Sequence, residues 1–265
     1  KLNSGISPIY EPGLDELIKK NFIAKRLSFT TNIDKAISTS DIIFICVGTP
    51  TRKGSIKVDL SFVYKCTKEI LKYSKRKKII VTKSTVPVGT GDEIEKILKR
   101  KKKLFTVISN PEFLREGEAI RDFRYPDRIV IGSNEKKAFN IMKKLYVPLT
   151  NKGSKFFTTS RRGAELIKYA SNAFLATKIT FINELANLCE KSGVNIEDIS
   201  LGMGSDSRIG GRFLRAGPAY GGSCFPKDTK GLVSAAEKYK INLSVVKSVI
   251  KSNQERVSLL TQRIH

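Results

Sequence analysis

The chain has 265 residues, 40% of them hydrophobic and 28% charged, which suits a globular protein of one large domain or two smaller ones. Its formal net charge is +24, a surplus that can attract nucleic acid, a membrane surface or a phosphorylated substrate. The longest apolar run, 42–47, is far too short to cross a membrane, and the four cysteines and single histidine lack the spacing of a zinc site, so a membrane span and a bound metal are both disfavoured.

The positive charge lies mostly in basic runs such as 75–78 and 99–103, where helices are expected to end and where positive charge is favourable. No aromatic residues interleave with these runs, which weakens the interpretation of a single-strand nucleic-acid site. We expect neither a nucleic-acid nor a membrane partner. A basic binding module remains an alternative that rests on charge alone.

The termini and the cysteines bear on the compartment. The first ten residues show no signal peptide, and so few cysteines argue against a disulfide framework, so we expect a cytoplasmic protein. Because residue 1 is not a methionine, we expect the natural chain to begin upstream.

Strand and helix patterns alternate in the first half of the chain. Short apolar runs that suit strands buried on both faces lie at 42–47, 78–82, 105–109 and 128–132. Helical patterns lie between and after them, at 60–73, 92–101 and 135–145. This alternation predicts βαβ units and a parallel sheet.

The second half of the chain is predicted to be helical. Apolar residues recur at helical spacing over 161–191, a helix of roughly 45 Å that needs a second domain or another subunit to cover it. A glycine-rich loop is predicted at 202–222, followed by helices at about 227–239 and 244–263. We place the domain boundary near residue 158, which gives domains 1–158 and 159–265.

Glycine-rich or hydroxyl-bearing turns follow three of the predicted strands. They are VGTP (47–50), KSTVPVGTG (83–91) and NPEFLREGEA (110–119). Ligands of open α/β sheets bind at such strand ends, where backbone N–H groups can approach phosphate. The dinucleotide fingerprint GxGxxG is absent, so these residues alone indicate only a nucleotide-binding α/β fold.

Two pairs of polar residues are spaced by four. Glu112 and Glu116 would share a face on a helical turn, either as an acid–base pair or as a solvated surface pair. Lys168 and Asn172 have the same spacing on the long helix, where a lysine commonly faces solvent and Asn172 would be an incidental neighbour.

Cys224 stands in YGGSCFPKD, residues 220–228. Pro226 suits the first turn of a helix, whose positive dipole end would stabilise a thiolate placed just before it. The paired glycines before Cys224 allow a ligand to approach the backbone closely. A buried inert thiol remains an equal alternative, and a metal ligand is the weakest reading.

Six segments resemble, in order and spacing, the UDP-glucose/GDP-mannose dehydrogenase family, with FRYPDRIVIG most similar to its UDP-glucose members. They are ISPIYEPGLDELI (6–18), CVGTPT (46–51), KSTVPVGT (83–90), SNPEFLREGEAIRDFRYPDRIVIG (109–132), ELIKYASNAFLATKITFINELA (165–186) and GGSCFPKD (221–228). The resemblance covers essentially the whole chain. It implies an incomplete Rossmann-like α/β domain followed by an all-helical central dimerisation domain with one long helix.

The resemblance also implies a reaction. The C6 alcohol of UDP-glucose would be oxidised to an aldehyde and then to a carboxylate, with two NAD consumed. Cys224 matches the nucleophile that traps the aldehyde as a thiohemiacetal and then becomes a thioester, which suits a thiolate because it is both nucleophile and leaving group. Other nucleotide sugars, UDP-N-acetylmannosamine and GDP-mannose, remain alternatives.

Further site residues follow from the same resemblance. Lys168 and Asn172 match the pair that stabilises charge at C6, Glu112 matches a carboxylate of thioester hydrolysis, and Thr85 and Asp228 match groups that hold the catalytic water. The residues implied at the NAD site are Thr49, Pro50, Thr85, Glu116 and Lys227. Those implied to bind substrate, besides Lys168 and Asn172, are Glu112, Phe113, Leu114, Arg115, Glu116, Arg208, Phe213, Leu214, Arg215, Ala216, Gly217 and Gly221.

The family pattern extends beyond both ends of this sequence. The family's GxGYVG turn would precede residue 1, and its second α/β domain, which helps to bind UDP, would follow residue 265. We therefore expect the 265 residues alone to be poorly active or inactive. The resemblance further implies a homodimer built on the long helix, with Arg208 reaching the nucleotide of the partner subunit.

Overall fold

A computed structural model describes residues 2–52, 54–99 and 104–264. The basic residues 100–103 and the single histidine, His265, therefore lie outside the described residues. Within the described part, the chain divides into two compact units: unit 1 comprises 1–49 and 60–168, and unit 2 comprises 50–59 and 169–265. None of the helices formed by these residues is long and apolar enough to cross a membrane.

Unit 1 is built on a sheet that has five strands among the described residues, in the order β1-β2-β3-β4-β5. The strands are β1 Ile42–Ile45, β2 Lys78–Thr82, β3 Phe105–Ser109, β4 Arg128–Gly132 and β5 Lys155–Thr159. The pairs β1–β2, β2–β3 and β4–β5 are parallel, which confirms the parallel βαβ prediction for them.

Two features of the sheet differ from the prediction. Strand β4 meets β3 in antiparallel orientation, through the single pair Ser109 and Gly132. Strand β5 was not predicted, because KFFTT is exposed or half-buried along its length and lacks the continuous apolar run of a central strand.

Helices cover both faces of the sheet in unit 1. The helices of unit 1 are α1 Leu14–Ile23, α2 Ile33–Thr39, α3 Ser61–Tyr73, α4 Thr90–Leu98, α5 Ala119–Arg124 and α6 Lys136–Thr150, of which α2, α3, α4 and α6 pack against the sheet. Ile80 and Ile94 belong to the core that includes α3 and α4, whereas Ile108 and Met142 belong to the core against α6. Strands β2, β3 and β4 are largely hydrophobic because both of their faces are buried in this way.

Helix α7, Arg161–Ser192, is the long helix that the sequence predicts, and the division between the units falls after its residue Lys168. Unit 2 adds α8 Ile196–Ser205, α9 Phe225–Glu237 and α10 Ser244–Ile264. Helix α8 begins at the cap of Asn195, whose side chain accepts a bond from the Glu197 amide, and it continues through residues 202–205 that were predicted to be loop.

Candidate active site

Nine of the predicted site residues form two groups, one in each unit. The sheet-edge group of unit 1 consists of Thr49, Thr85, Glu112, Phe113 and Lys168. The cysteine group of unit 2 consists of Asn172, Cys224, Lys227 and Asp228.

Hydrogen bonds join the turns that follow β1 and β2. The Thr49 hydroxyl donates to the Thr85 carbonyl oxygen at 2.8 Å, and the Ser84 hydroxyl donates to the Val47 carbonyl oxygen at 2.6 Å. The two strands are parallel neighbours, so their carboxyl ends lie at one edge of the sheet. This edge is where the fold class binds its ligands.

Lys168 is a buried cation of the sheet-edge group. Only 4% of the residue is exposed, so the expectation of a solvent-facing lysine is wrong. Its Nζ lies 3.4 Å from Glu112 Oε1 and 5.2 Å from the centroid of the Phe113 ring, which also carries the Arg128 guanidinium at 4.0 Å. A carboxylate and a ring face therefore compensate the buried charge.

Glu112 and Glu116 do not share a helical face, which corrects the expectation from their spacing. The segment after β3 is not helical before α5. Glu112 Oε2 instead accepts a bond from the Leu114 amide at 2.6 Å, a local contact that competes with helix formation, and Gly117 has φ of 85°. Glu112 is half-buried and paired with Lys168, whereas Glu116 is exposed.

Burial changes the chemistry of two further side chains at the sheet edge. Burial lowers the pKa of the Lys83 ammonium, although Glu112 and Cys46 oppose this shift. Part of the Cys46 side chain is exposed, and desolvation of the rest raises the pKa of its thiol, although Lys83 opposes this shift. Cys46 therefore stays neutral near pH 7.

Glu165 is a buried carboxylate that the sequence analysis did not single out. Its two oxygens accept bonds from the amides of Gly89 and Gly91 at 2.7 and 2.8 Å, and Oε1 also accepts from the Ser109 hydroxyl at 3.1 Å. Burial raises the pKa of Glu165 to about 7, although these hydrogen bonds oppose the shift. The amides at the start of α4 are therefore taken by Glu165, which corrects the expectation that phosphate approaches them.

Cys224 is exposed, which contradicts the reading of a buried core thiol. It is the residue immediately before α9, and Pro226 lies in the first turn of that helix as predicted. The Ser223 hydroxyl lies 3.6 Å from its sulfur. Among the described residues, no three His, Cys, Asp or Glu side chains are grouped to hold a metal ion.

Asp228 is completely buried in the first turn of α9. Asn172 Nδ2 donates to Asp228 Oδ2 at 2.6 Å, and the Lys227 ammonium forms an ion pair with Oδ1. Asn172 is therefore a bound partner of Asp228, not an incidental neighbour of Lys168. The carboxylate is fixed one helical turn after Cys224, whose carbonyl oxygen accepts the Asp228 amide at 2.8 Å.

Aromatic contacts link the predicted substrate loop to the residue after Cys224. The Phe225 ring makes edge contacts with Phe213 and Tyr220, with centroid distances of 6.2 and 6.1 Å. Phe213 has φ of 67°, a left-handed conformation that is strained for a bulky side chain. Such strain persists only where surrounding contacts fix it, and these contacts adjoin Cys224.

Side chains of α7 and α10 hold the backbone of the same loop. Asn183 Oδ1 accepts the Gly217 amide at 2.8 Å, and Arg256 Nε donates to the Gly217 carbonyl oxygen at 2.7 Å. Asn253 accepts the Tyr220 amide at 2.8 Å and donates to its carbonyl oxygen at 3.1 Å. No local pattern distinguishes these three residues, because an Asn or Arg on an amphipathic helix is commonly exposed.

The remaining predicted residues occupy varied environments. Leu214 is buried, and its carbonyl oxygen accepts the Ser200 hydroxyl at 2.7 Å. Arg208 is exposed and pairs with Asp206, and Arg115 pairs with Asp122 at 2.7 Å. The exposed residues are Pro50, Leu114, Arg215 and Gly221, and Ala216 and Gly217 are half-buried.

Unit 1 is typical of nucleotide-binding α/β proteins, because polar turns follow its parallel strands at one edge of the sheet. Unit 2 adds a candidate thiol nucleophile, the exposed Cys224 at the start of a helix. Residues 1–150 match the model of the UDP-glucose/GDP-mannose dehydrogenase family, NAD binding domain, and residues 162–255 match the central domain of that family. The chain belongs to the UDP-glucose/GDP-mannose dehydrogenase family.

Individual relatives agree with the family match. The chain is 49% identical over 267 residues to a UDP-glucose 6-dehydrogenase of Rhizobium meliloti, covering 99% of this chain and 61% of the relative. It is 50% identical over 264 residues to the Rickettsia felis UDP-glucose 6-dehydrogenase, covering 100% of this chain and 59% of the relative. The chain thus spans about 60% of these curated relatives.

A solved structure matches over nearly the whole chain. The UDP-glucose dehydrogenase of Pyrobaculum islandicum is 37% identical, with a TM-score of 0.92 over 99% of this chain and 62% of that one. This match confirms the Rossmann-type α/β fold class and the helical segment after it.

Proposed function

We propose that the protein containing this chain is an NAD-dependent UDP-glucose 6-dehydrogenase that converts UDP-glucose to UDP-glucuronate. One observation carries the proposal: Cys224 is exposed at the start of α9, one turn before a buried Asp228, in a chain about half identical to curated enzymes of that name. The UDP-glucuronate would serve polysaccharide biosynthesis.

Residues of unit 1 fit an NAD molecule at the sheet edge. Apart from its two chain neighbours, no described residue has a heavy atom within 4 Å of the position that a Cβ would take at Gly48, so a ligand has room to approach the backbone there. Thr49 and Thr85 are joined at this edge, and we propose that they contact NAD with Pro50, Glu116 and Lys227. NAD bound there would supply the hydride acceptor for the two oxidations at C6.

Cys224 supplies the nucleophile of the proposed reaction. After C6 has lost a hydride and the hydroxyl proton, the thiolate adds to the aldehyde carbon and forms a thiohemiacetal. Loss of the second hydride and proton leaves a thioester. Water then adds to the thioester carbon, the C–S bond breaks, and the acid and the thiolate are released.

The polar residues assist these steps in distinct ways. Lys168 and Asn172 stabilise negative charge on the C6 oxygen, a role for which a buried ammonium suits Lys168. Glu112 accepts a proton from the hydrolytic water, and Thr85 and Asp228 orient that water. The salt bridge of Glu112 with Lys168 and the bond of Asn172 with Asp228 support a fixed orientation for these groups.

The predicted substrate loops are proposed to bind the nucleotide sugar. The residues concerned are 112–116, 213–217, Gly221 and Arg208, with Arg208 acting on the nucleotide bound to a second copy. The contacts of Asn183 and Arg256 with the Gly217 backbone support this role for 213–217, because a loop that is already ordered loses less entropy on binding.

The larger organisation is also part of the proposal. The NAD-binding domain comprises 1–158 and the central domain 159–265, and two copies associate through α7. Phe174, Phe181 and Leu188 recur every seven residues on α7 and are 65%, 47% and 62% exposed, a spacing typical of helix association. We propose that the dimer works in the cytoplasm without a nucleic-acid or membrane partner.

A stoichiometric assay of the full-length protein tests the proposed function. UDP-glucose and NAD should give two NADH for each UDP-glucuronate, with kcat/KM for UDP-glucose at least about tenfold above those for UDP-N-acetylmannosamine and GDP-mannose. A higher kcat/KM for either of those sugars would make that sugar, and not UDP-glucose, the proposed substrate. Salt-sensitive DNA binding without any NADH would favour the basic binding module instead.

A further inference from the structure

The structure contains a buried carboxylate that the proposed reaction does not use. Glu165 is 3% exposed and lies on α7, one helical turn before Lys168. Its side chain reaches the turn between β2 and α4 and the end of β3. A carboxylate is costly to bury, and here three hydrogen-bond donors offset only part of that cost.

We propose that Glu165 is a positioning residue, which fixes the 84–91 turn and thereby sets the placement of Thr85 for NAD. The inference rests on the proposed function for the role of Thr85. The contact between Glu165 and the turn itself is independent of that function.

The turn is bound at both carboxylate oxygens. Oε2 accepts the Gly89 amide at 2.7 Å and Oε1 accepts the Gly91 amide at 2.8 Å, so the carboxylate bridges two amides at the start of α4. A Cβ at residue 91 would lie 2.9 Å from Glu165 Oε1, closer than real Cβ atoms approach. An alanine at 91 would therefore have to displace this carboxylate, and it would also crowd Ser109 Oγ and Arg161 Cδ, each 3.1 Å from the added carbon.

The same carboxylate adjoins the catalytic side of the sheet edge. A small cavity has both Thr85 and Lys168 in its lining, together with Glu165 and Thr82. Thr82 is buried, and its hydroxyl has no hydrogen-bond partner among the described residues. A displacement of Glu165 would thus change the position of the turn and of the residues that line this cavity.

Other charged groups around Glu165 are already paired. From α4, Asp92 faces it and bonds to Arg161 and Arg162, and from α7 Lys168 pairs with Glu112. Strand β3 contributes the uncharged Ser109 hydroxyl. Burial raises the pKa of Glu165 to about 7 from its ordinary 4.5, so an opening of the turn that hydrates the carboxylate is accompanied by proton release.

Amide hydrogen exchange in the full-length protein tests the contact directly. In peptides spanning 84–98, protection corrected for the intrinsic exchange rate should fall as the pH rises from 4.5 to about 7. In Glu165→Gln the side-chain NH₂ group would face one of the two backbone amides, both of which are donors. Protection of the 84–98 peptides should therefore fall about tenfold, and it should no longer change with pH between 4.5 and 7.

Two glycine variants serve as matched comparisons. Gly91→Ala should reproduce the exchange of Glu165→Gln, because its Cβ displaces the same oxygen. Gly202→Ala lies in α8 with open space around the added carbon and should leave the 84–98 peptides unchanged. Equal protection of these peptides in Glu165→Gln and the parent protein would overturn the inference.

Steady-state kinetics test the positioning role. Glu165→Gln should raise KM for NAD about tenfold and leave KM for UDP-glucose within about twofold. A loss of kcat with both KM values unchanged would mean that Glu165 only supports folding, and it would overturn the positioning role. A parent protein that oxidises no nucleotide sugar would refute the proposed function, whereas the exchange result would still decide the contact.

Discussion

At the scale of single residues, Asp228 is the most constrained group near Cys224. It is completely buried, and its charge is compensated by Lys227 and by the amide of Asn172. Removing one partner of a buried ion pair leaves the other charge uncompensated, which costs more than the pair contributes. The arrangement fixes a carboxylate at the start of α9 irrespective of any ligand.

Asp228→Asn should lower the free energy of unfolding by about 2 kcal/mol, because Lys227 loses its counter-charge while the side-chain volume is kept. Urea unfolding of the 265-residue chain measures this. The matched control is Asp206→Asn, which breaks an exposed pair with Arg208 and should cost less than about 0.5 kcal/mol. Equal changes in the free energy of unfolding for the two substitutions would show that the buried pair stabilises the fold no more than the exposed pair does.

Glu165 should make stability depend on pH in a defined window. Its pKa is about 7 in the folded chain and 4.5 as the ordinary value, so the folded state holds the extra proton between these limits. The contribution of Glu165 to the free energy of unfolding is therefore greatest below pH 4.5. It is lost as the pH rises through about 7, which lowers the free energy of unfolding by up to about 3 kcal/mol. Comparing urea unfolding of Glu165→Gln and the parent from pH 5 to 8 isolates this component, and parallel pH profiles would contradict it.

At the scale of elements, α10 organises the loop that precedes Cys224. Asn253 and Arg256 are one turn apart on α10, and both bond to backbone atoms of residues 217–220. Because the contacts are made to backbone, they constrain the path of the loop whatever its side chains are. The loop in turn packs aromatic rings on Phe225.

Asn253→Ala should loosen this loop without unfolding unit 2. The change removes two hydrogen bonds to Tyr220, so amide protection of peptides covering 213–222 should fall about tenfold or more. Ser252→Ala, which removes a bond to Glu184 at the surface of the same helix, is the control and should leave those peptides unchanged. Loss of protection in α10 itself would indicate helix unfolding instead of loop release.

The sequence predicted the elements better than the contacts between them. The long helix, the start of α9 and four strands follow from local periodicity and from Pro226, and the structure confirms them. The antiparallel placement of β4 depends on pairing across the sheet, which periodicity does not encode. The roles of Glu165 and Asn253 depend on partners 74 and 33 residues away, so no local pattern could identify them.

At the scale of the whole molecule, the apolar stripe of α7 is the surface that most needs a partner. Phe174, Phe181 and Leu188 expose about half or more of their surface, which is uncommon for one contiguous face of a monomer. The proposed dimer would bury this face by contact with a second copy.

Phe181→Glu should convert the dimer of the full-length protein to monomer, because it places a charge in the middle of the apolar stripe. Analytical ultracentrifugation measures the change as at least about a hundredfold rise in the dimer dissociation constant. Tyr239→Glu alters an aromatic residue of similar exposure after α9 and should leave the dimer intact. A Phe181→Glu protein that remains dimeric would place the interface elsewhere.

If the sugar stays bound to the Cys224 sulfur during the second oxidation, the acyl-enzyme can be trapped on that residue. Glu112→Gln in the full-length protein should slow thioester hydrolysis. After incubation with UDP-glucose and NAD and an acid quench, peptide mass spectrometry should find the UDP-glucuronyl group on the peptide containing Cys224, and Cys224→Ser should abolish both the adduct and the acid. Continued formation of UDP-glucuronate by Cys224→Ser at the parent rate would contradict the account.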